Sequence, residues 1–139
     1  MRSRRAACYY EKNRMTTDSR KPRDIRERLF EFACEIVRAS QFLHTRGPIG
    51  RALSYQLLTA GTSIGANMQE ADGAASRPDF IAKLRIALKE AKETWFRLRM
   101  CRQCDLLDSR FDPLLKESDE IVRILAAIVH NTIRNTETR

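Results

Sequence analysis

Apolar residues return every three or four positions through most of the chain, and the runs break at only a few places. Ile25, Leu29, Phe32, Ile36, Ser40 and Leu43 share one face of a predicted first helix, about Asp24 to Leu43, with Asp24 as N-cap. Gly47-Pro48 punctuates its end. Leu53, Leu57, Ala60, Ile64, Met68 and Ala71 predict a second helix from about Ile49 to Ala71. A corner at Asp72–Pro78 follows. Phe80, Leu84, Ala87, Leu88, Ala91, Trp95 and Leu98 then give a nearly heptad seam along a third helix, from Ser76 or Arg77 to about Cys101. Ser76 is its candidate N-cap, Pro78 fits the first turn and Asp79 suits the positive helix end. After a short loop at 103–110, Leu114, Leu115, Ile121, Val122, Leu125, Ile128, Val129 and Ile133 predict a fourth helix from about Phe111 to Arg134. Four helices with short connections predict an all-α, antiparallel up-down-up-down four-helix bundle.

Residues 1–23 are polar, basic and without period, so they predict a flexible arm. That arm reads either as an electrostatic tether or as a solvated tail, and Met15 offers a second start. Residues 135–139, NTETR, predict a frayed tail. The domain division is therefore arm 1–23, bundle 24–134 and tail 135–139.

Two groups of side chains stand off the apolar seams. On the second helix, Gln56, Ser63, Asn67 and Glu70 form a polar stripe at the seam's edge, which predicts a structural network with Glu70 paired to an arginine. Gly61 and Gly65, four apart on the same helix, predict close approach by a neighbouring backbone, since each costs about 1 kcal/mol relative to alanine inside a helix. On the third helix, Arg85, Lys89, Lys92 and Arg99 line one flank with Phe96 among them. Such a stripe suits a phosphate backbone, with a solvated helix face as the other reading. Phe96 is assigned to a subunit contact, with stacking on a base as the other reading. Ile81, Ile86, Phe96 and Leu115 lie beyond a single stripe per helix, which predicts an oligomer interface.

Charge turns this pattern toward polyanions. The chain of 139 residues carries a formal net charge of +8, which favours nucleic acid first and an anionic membrane surface second. The longest apolar run, Ile124–Val129, is far short of the roughly 20 residues that span a bilayer. No secretory signal pattern is present, and four cysteines in a chain this long do not suggest a disulfide scaffold, so the cytoplasm is the expected compartment.

Catalytic constellations are absent from the pattern. Cys101-x-x-Cys104 lacks a second cysteine pair, and His44 and His130 lie on separate elements, so neither zinc nor a redox dithiol is expected. Paired Glu-x-x-His motifs for a di-iron bundle are missing. Glu90 and Glu93 are expected to pair with cations one turn away. No enzyme activity, cofactor or metal is expected.

The string SIGANMQEA…SRPDFIAKL, with Ser63, Asn67, Glu70, Ser76 and Phe80 in it and IALKEA after it, resembles the four-helix-bundle family encoded in intervening sequences of bacterial 23S ribosomal RNA genes. The resemblance covers roughly Ile25–Ile133 and is densest over Leu53–Leu98. Relatives include the accessory variability determinants of diversity-generating retroelements. The resemblance implies rings of five subunits, a basic surface offered to nucleic acid, and a reverse transcriptase or ribosomal component as possible partner. Ser63, Asn67 and Glu70 match the family's polar signature, and Arg85, Lys89 and Lys92 match positions that are often basic. Met68-Gln69-Glu70-Ala71 stands where the family more usually has Ile-Ala-Glu-Gly. The expected function is that of a non-catalytic homo-oligomer, a homopentamer by the resemblance, that binds RNA or DNA through the third helix. The alternative is a protein–protein assembly module without direct nucleic-acid binding.

Overall fold

A computed structural model describes residues 24–138, and the basic arm at 1–23 lies outside them. The described residues form an all-α, antiparallel up-down-up-down bundle of four helices: α1 (Ile25–His44), α2 (Gly47–Asp72), α3 (Arg77–Gln103) and α4 (Asp112–Glu137). A 3₁₀ turn, Ser109–Phe111, precedes α4.

Capping chemistry fixes two of the starts. The Asp24 side chain accepts from the Arg26 backbone N–H, and Ser76 Oγ accepts from the Asp79 N–H at 3.2 Å. The second helix begins two residues earlier than its apolar period suggests. Gly47 takes φ +82°, and Pro48 then sits in the first turn, where its missing N–H costs nothing. Gly47-Pro48 thus opens α2 rather than merely closing α1. At the other end of the chain, α4 runs to Glu137.

The interior is built from one stripe per helix. Leu29, Phe32, Ile36, Ala39 and Leu43 come from α1, and Leu57, Ala60, Ile64, Met68 and Ala71 from α2. Leu84, Ala87, Ala91, Leu98 and Cys101 come from α3, Leu114, Ile121, Leu125 and Val129 from α4, and Leu107 closes the end from the loop. A fully buried Leu or Ile contributes about 1.5–3 kcal/mol, so this stripe carries the fold.

Along α3 the buried positions are Leu84, Ala87, Ala91, Thr94, Leu98 and Cys101. The seam therefore passes through Thr94, one residue short of the predicted Trp95. The Thr94 hydroxyl donates to the Glu90 carbonyl at 2.8 Å, so it enters the interior satisfied. The larger indole stays half-buried at the edge.

Gly61 permits a close approach between α1 and α2 midway along both helices. A Cβ there would lie 2.6 Å from Cγ2 and 2.7 Å from Cγ1 of Ile36. The neighbour is thus a side chain, not the backbone that the sequence predicts. At Gly65 a Cβ would meet Leu29 Cβ at 3.6 Å, an ordinary contact.

Ion pairs tie the ends of the helices. Arg26 makes a two-point contact with Asp72, joining the start of α1 to the end of α2. Arg28 reaches Glu117 and Glu120 of α4. At the opposite end of α1, Phe42 meets Phe111 with ring centroids 5.1 Å apart. Arg77 Nε donates to Thr136 Oγ1 at 2.7 Å, holding the far end of α4 against the start of α3.

Candidate nucleic-acid interface

The outer face of α3 follows from the position of its seam. At 3.6 residues per turn, burying Leu84, Ala87, Ala91, Thr94 and Leu98 turns Arg85, Lys89, Lys92, Phe96 and Arg99 outward. All five are exposed. Arg85 and Arg99 are fourteen positions apart, so the row is about 21 Å long at about 1.5 Å per residue.

Several cations elsewhere on the bundle are neutralised by a carboxylate, whereas Arg51, Lys116 and Arg134 are not among the described residues. Lys83 meets Glu70 at 3.0 Å, Arg102 meets Asp112 at 2.8 Å, and Arg26, Arg28, Arg110 and Arg123 are also paired. Hydrogen bonds to their carboxylates push the Lys83 and Arg102 pKa values up, so both stay charged. Among the described residues, no ion pair engages Arg85, Lys89, Lys92 or Arg99. Arg99 instead lies over the Trp95 ring, 4.5 Å from its centroid. That cation–π contact, one helical turn long, sets the direction of the guanidinium while leaving its donors free.

Glu90 and Glu93 do not pair with the row, contrary to the expectation of ion pairs one turn away. They line a shallow groove on the α2 side with Tyr55, Gln56, Thr59 and Arg97. The two flanks of α3 therefore differ in sign. The acidic groups face α2, and the free cations face outward and toward α4. At the C-terminal end of the row a second groove, lined by Arg99, Arg102, Gln103, Asp105, Asp112 and Leu115, mixes both signs.

The polar stripe of α2 divides into separate contacts. Gln56 Oε1 accepts from Arg97 Nη1 and Glu70 pairs with Lys83, both across to α3. The partner of Glu70 is thus a lysine rather than an arginine. Ser63 Oγ donates to the Thr59 carbonyl and Asn67 Nδ2 to the Ser63 carbonyl, so these two bond back to their own helix. Sequence reasoning missed Arg97 and Lys83 as the cross-helix partners. Their only signal was a position on the α2 side of α3.

Of the four apolar residues assigned to an interface, Ile86 and Phe96 are exposed, at 40% and 63%. Ile81 and Leu115 are half-buried, and Leu115 belongs with the side chains that cover the molecule's own core. Phe30 and Ile49, which the periodicity did not single out, are exposed at 61% and 69%.

Cys101 is wholly buried and burial pushes its thiol pKa up, whereas Cys104 is exposed at the end of α3. Among the described residues no three His, Cys, Asp or Glu side chains are grouped to hold a metal ion. No described helix is long and apolar enough to cross a membrane.

Comparison with known proteins agrees with this architecture. No curated protein matches the chain. Among solved structures, it is similar to a protein of unknown function from the S23 ribosomal protein family of Bacteroides thetaiotaomicron. The two are 38% identical, with a TM-score of 0.70, over 76% of this chain and 98% of that one. The family model of the 23S rRNA-intervening sequence proteins matches residues 22–127, and the chain belongs to that family.

Proposed function

We propose that this protein is a non-catalytic accessory factor that binds RNA or DNA through the outer face of α3 and multiplies that grip by assembling as a homo-oligomer in the cytoplasm. The observation that supports it is the row Arg85, Lys89, Lys92 and Arg99, exposed and without carboxylate partners among the described residues. Each phosphate such a row neutralises releases condensed counterions, so affinity comes with a steep salt dependence. A single row gives weak binding. Repeated around an assembly of five copies, the number that the family resemblance implies, it makes later contacts effectively intramolecular. The family's tie to ribosomal RNA genes makes structured RNA the first polyanion to test.

The test is binding of labelled structured RNA and of duplex DNA between about 50 and 200 mM salt. The expected result is binding at low salt that falls steeply on a log–log plot. The triple variant R85E/K89E/R99E should weaken it at least tenfold while its helical circular dichroism stays unchanged. Absence of binding at low salt, or binding without a salt slope, would sink the proposal.

Exposed apolar side chains favour a second reading. Phe30, Ile49, Ile86 and Phe96 offer contact area to another protein as well as to a second copy. In that reading the chain is an assembly module, and a partner such as a reverse transcriptase or a ribosomal component stays bound after nuclease treatment.

A further inference from the structure

We propose that the α3 row takes unpaired, single-stranded nucleic acid, with Phe96 as the platform on which a base stacks. This rests on the proposed function and narrows its ligand. Phe96 is a large aromatic side chain held at 63% exposure in the middle of a cationic surface. Its neighbours on the helix surface are Lys92 four residues before it and Arg99 three after on one side, and Glu93 three before and Met100 four after on the other. By the 3.6-residue turn, Arg85, Lys89, Lys92, Phe96 and Arg99 fall within an arc of about 80°. The ring is thus flanked by free positive charge along its own face, with Glu93 bordering it toward α2. Arg99 is additionally held over the Trp95 ring.

A strand with splayed bases matches both parts of this surface. Its phosphates meet the cations, and its base faces meet the ring, whose stacking tolerates any base. A duplex matches only the first part, because its base faces are already stacked on one another. A second copy of this chain matches neither well. Two-fold self-association across this face would bring four unneutralised cations against their own copies. The apolar area is also small. Phe96 has Met100 as a half-buried neighbour, and Ile86 lies ten residues away and about 80° further round. A stable interface takes about 800 Å² from each partner, several times what one phenylalanine supplies.

The experiment measures fluorescence anisotropy of a labelled single-stranded oligouridylate and of an RNA duplex of equal length. The full-length wild type is compared with F96A and F96W. Wild type should prefer the single strand. F96A should lose about 5- to 150-fold on it, as expected for one stacked base, with the salt slope and the duplex affinity unchanged. F96W should retain single-strand binding. Sedimentation of F96A should give the wild-type mass. If F96A binds the single strand as wild type does, or loses equally on both ligands, or shifts the assembly to smaller species, the stacking role is wrong. If wild type binds the two ligands equally and F96A is silent, nucleic-acid binding survives and the single-strand inference falls. If wild type binds neither, both fall.

Discussion

The two glycines of α2 invite a comparison in which one physical factor cancels. Gly61 and Gly65 lie one turn apart in the same helix, so replacing either by alanine gains the same helix propensity, about 1 kcal/mol. What differs is the space each new methyl enters. At Gly61 it would meet Ile36 carbons at 2.6, 2.7 and 3.1 Å, where carbon pairs prefer about 3.5–4.0 Å. Ile36 is completely buried and β-branched, so it has little freedom to withdraw. Overfilling of this kind costs about 1–3 kcal/mol. At Gly65 the nearest atom lies 3.6 Å away and no such cost arises. G65A should therefore be more stable than wild type by up to about 1 kcal/mol, and G61A less stable than G65A by about 1–3 kcal/mol. The assay is urea unfolding followed by circular dichroism at one fixed protein concentration, because self-association makes stability depend on concentration. The slopes should agree and the midpoints separate. A double-mutant cycle localises the cause. I36A deletes both γ carbons in the clash and costs about 2–5 kcal/mol by itself. In that background G61A should no longer destabilise, a coupling of about 1–3 kcal/mol. Equal midpoints for G61A and G65A, or a cycle without coupling, would refute the steric account.

Other outcomes follow from single contacts. Ser40 buries its hydroxyl in the core without a hydrogen-bond partner, so S40A should be neutral or stabilising by up to about 1 kcal/mol; a lower thermal midpoint would contradict this. S76A removes the α3 cap and should cost about 1 kcal/mol in urea unfolding, while S76D restores it. The hydrogen bond from Arg26 holds the Asp72 carboxyl below its ordinary value of 3.8. Its contribution is therefore complete above that pH and is lost as pH falls through the depressed native value. D72N should be less stable than wild type at neutral pH, with the gap closing below pH 3.8; a gap unchanged by acid would exclude the ion pair as its cause.

The helices and their order were legible because a period near 3.6, a few caps and three short breaks all agree. Ser76 was readable as an N-cap from its place before Pro78 and Asp79. The interior was legible to within one position, and Trp95 shows where the reading fails. Hydrophobicity favoured the indole, whereas volume and a hydroxyl satisfied by its own helix put Thr94 inside. Period also told which residues face inward but not what lies opposite, so the neighbour of Gly61 came out as Ile36's side chain. Cross-helix partners were the least visible. Arg26 and Asp72 are 46 positions apart and Arg28 and Glu117 are 89 apart, and no local pattern links them. The free row on α3 was visible as four basic residues on one flank. Its freedom depended on which way Glu90 and Glu93 turn, and that is decided by α2.

Closure of the bundle carries its own liability. Where α1 meets α4, Arg28 between Glu117 and Glu120 secures one stretch and the Phe42–Phe111 contact the other. Dissolved ions weaken the first and leave the second almost untouched. A titration meant to strip a polyanion from α3 therefore also slackens this join, and it does so from the Arg28 side, with the aromatic contact as the pivot. Amide exchange around residues 117–120 of α4 would report that loosening before any helix is lost, which makes it the control that any salt series on this protein requires.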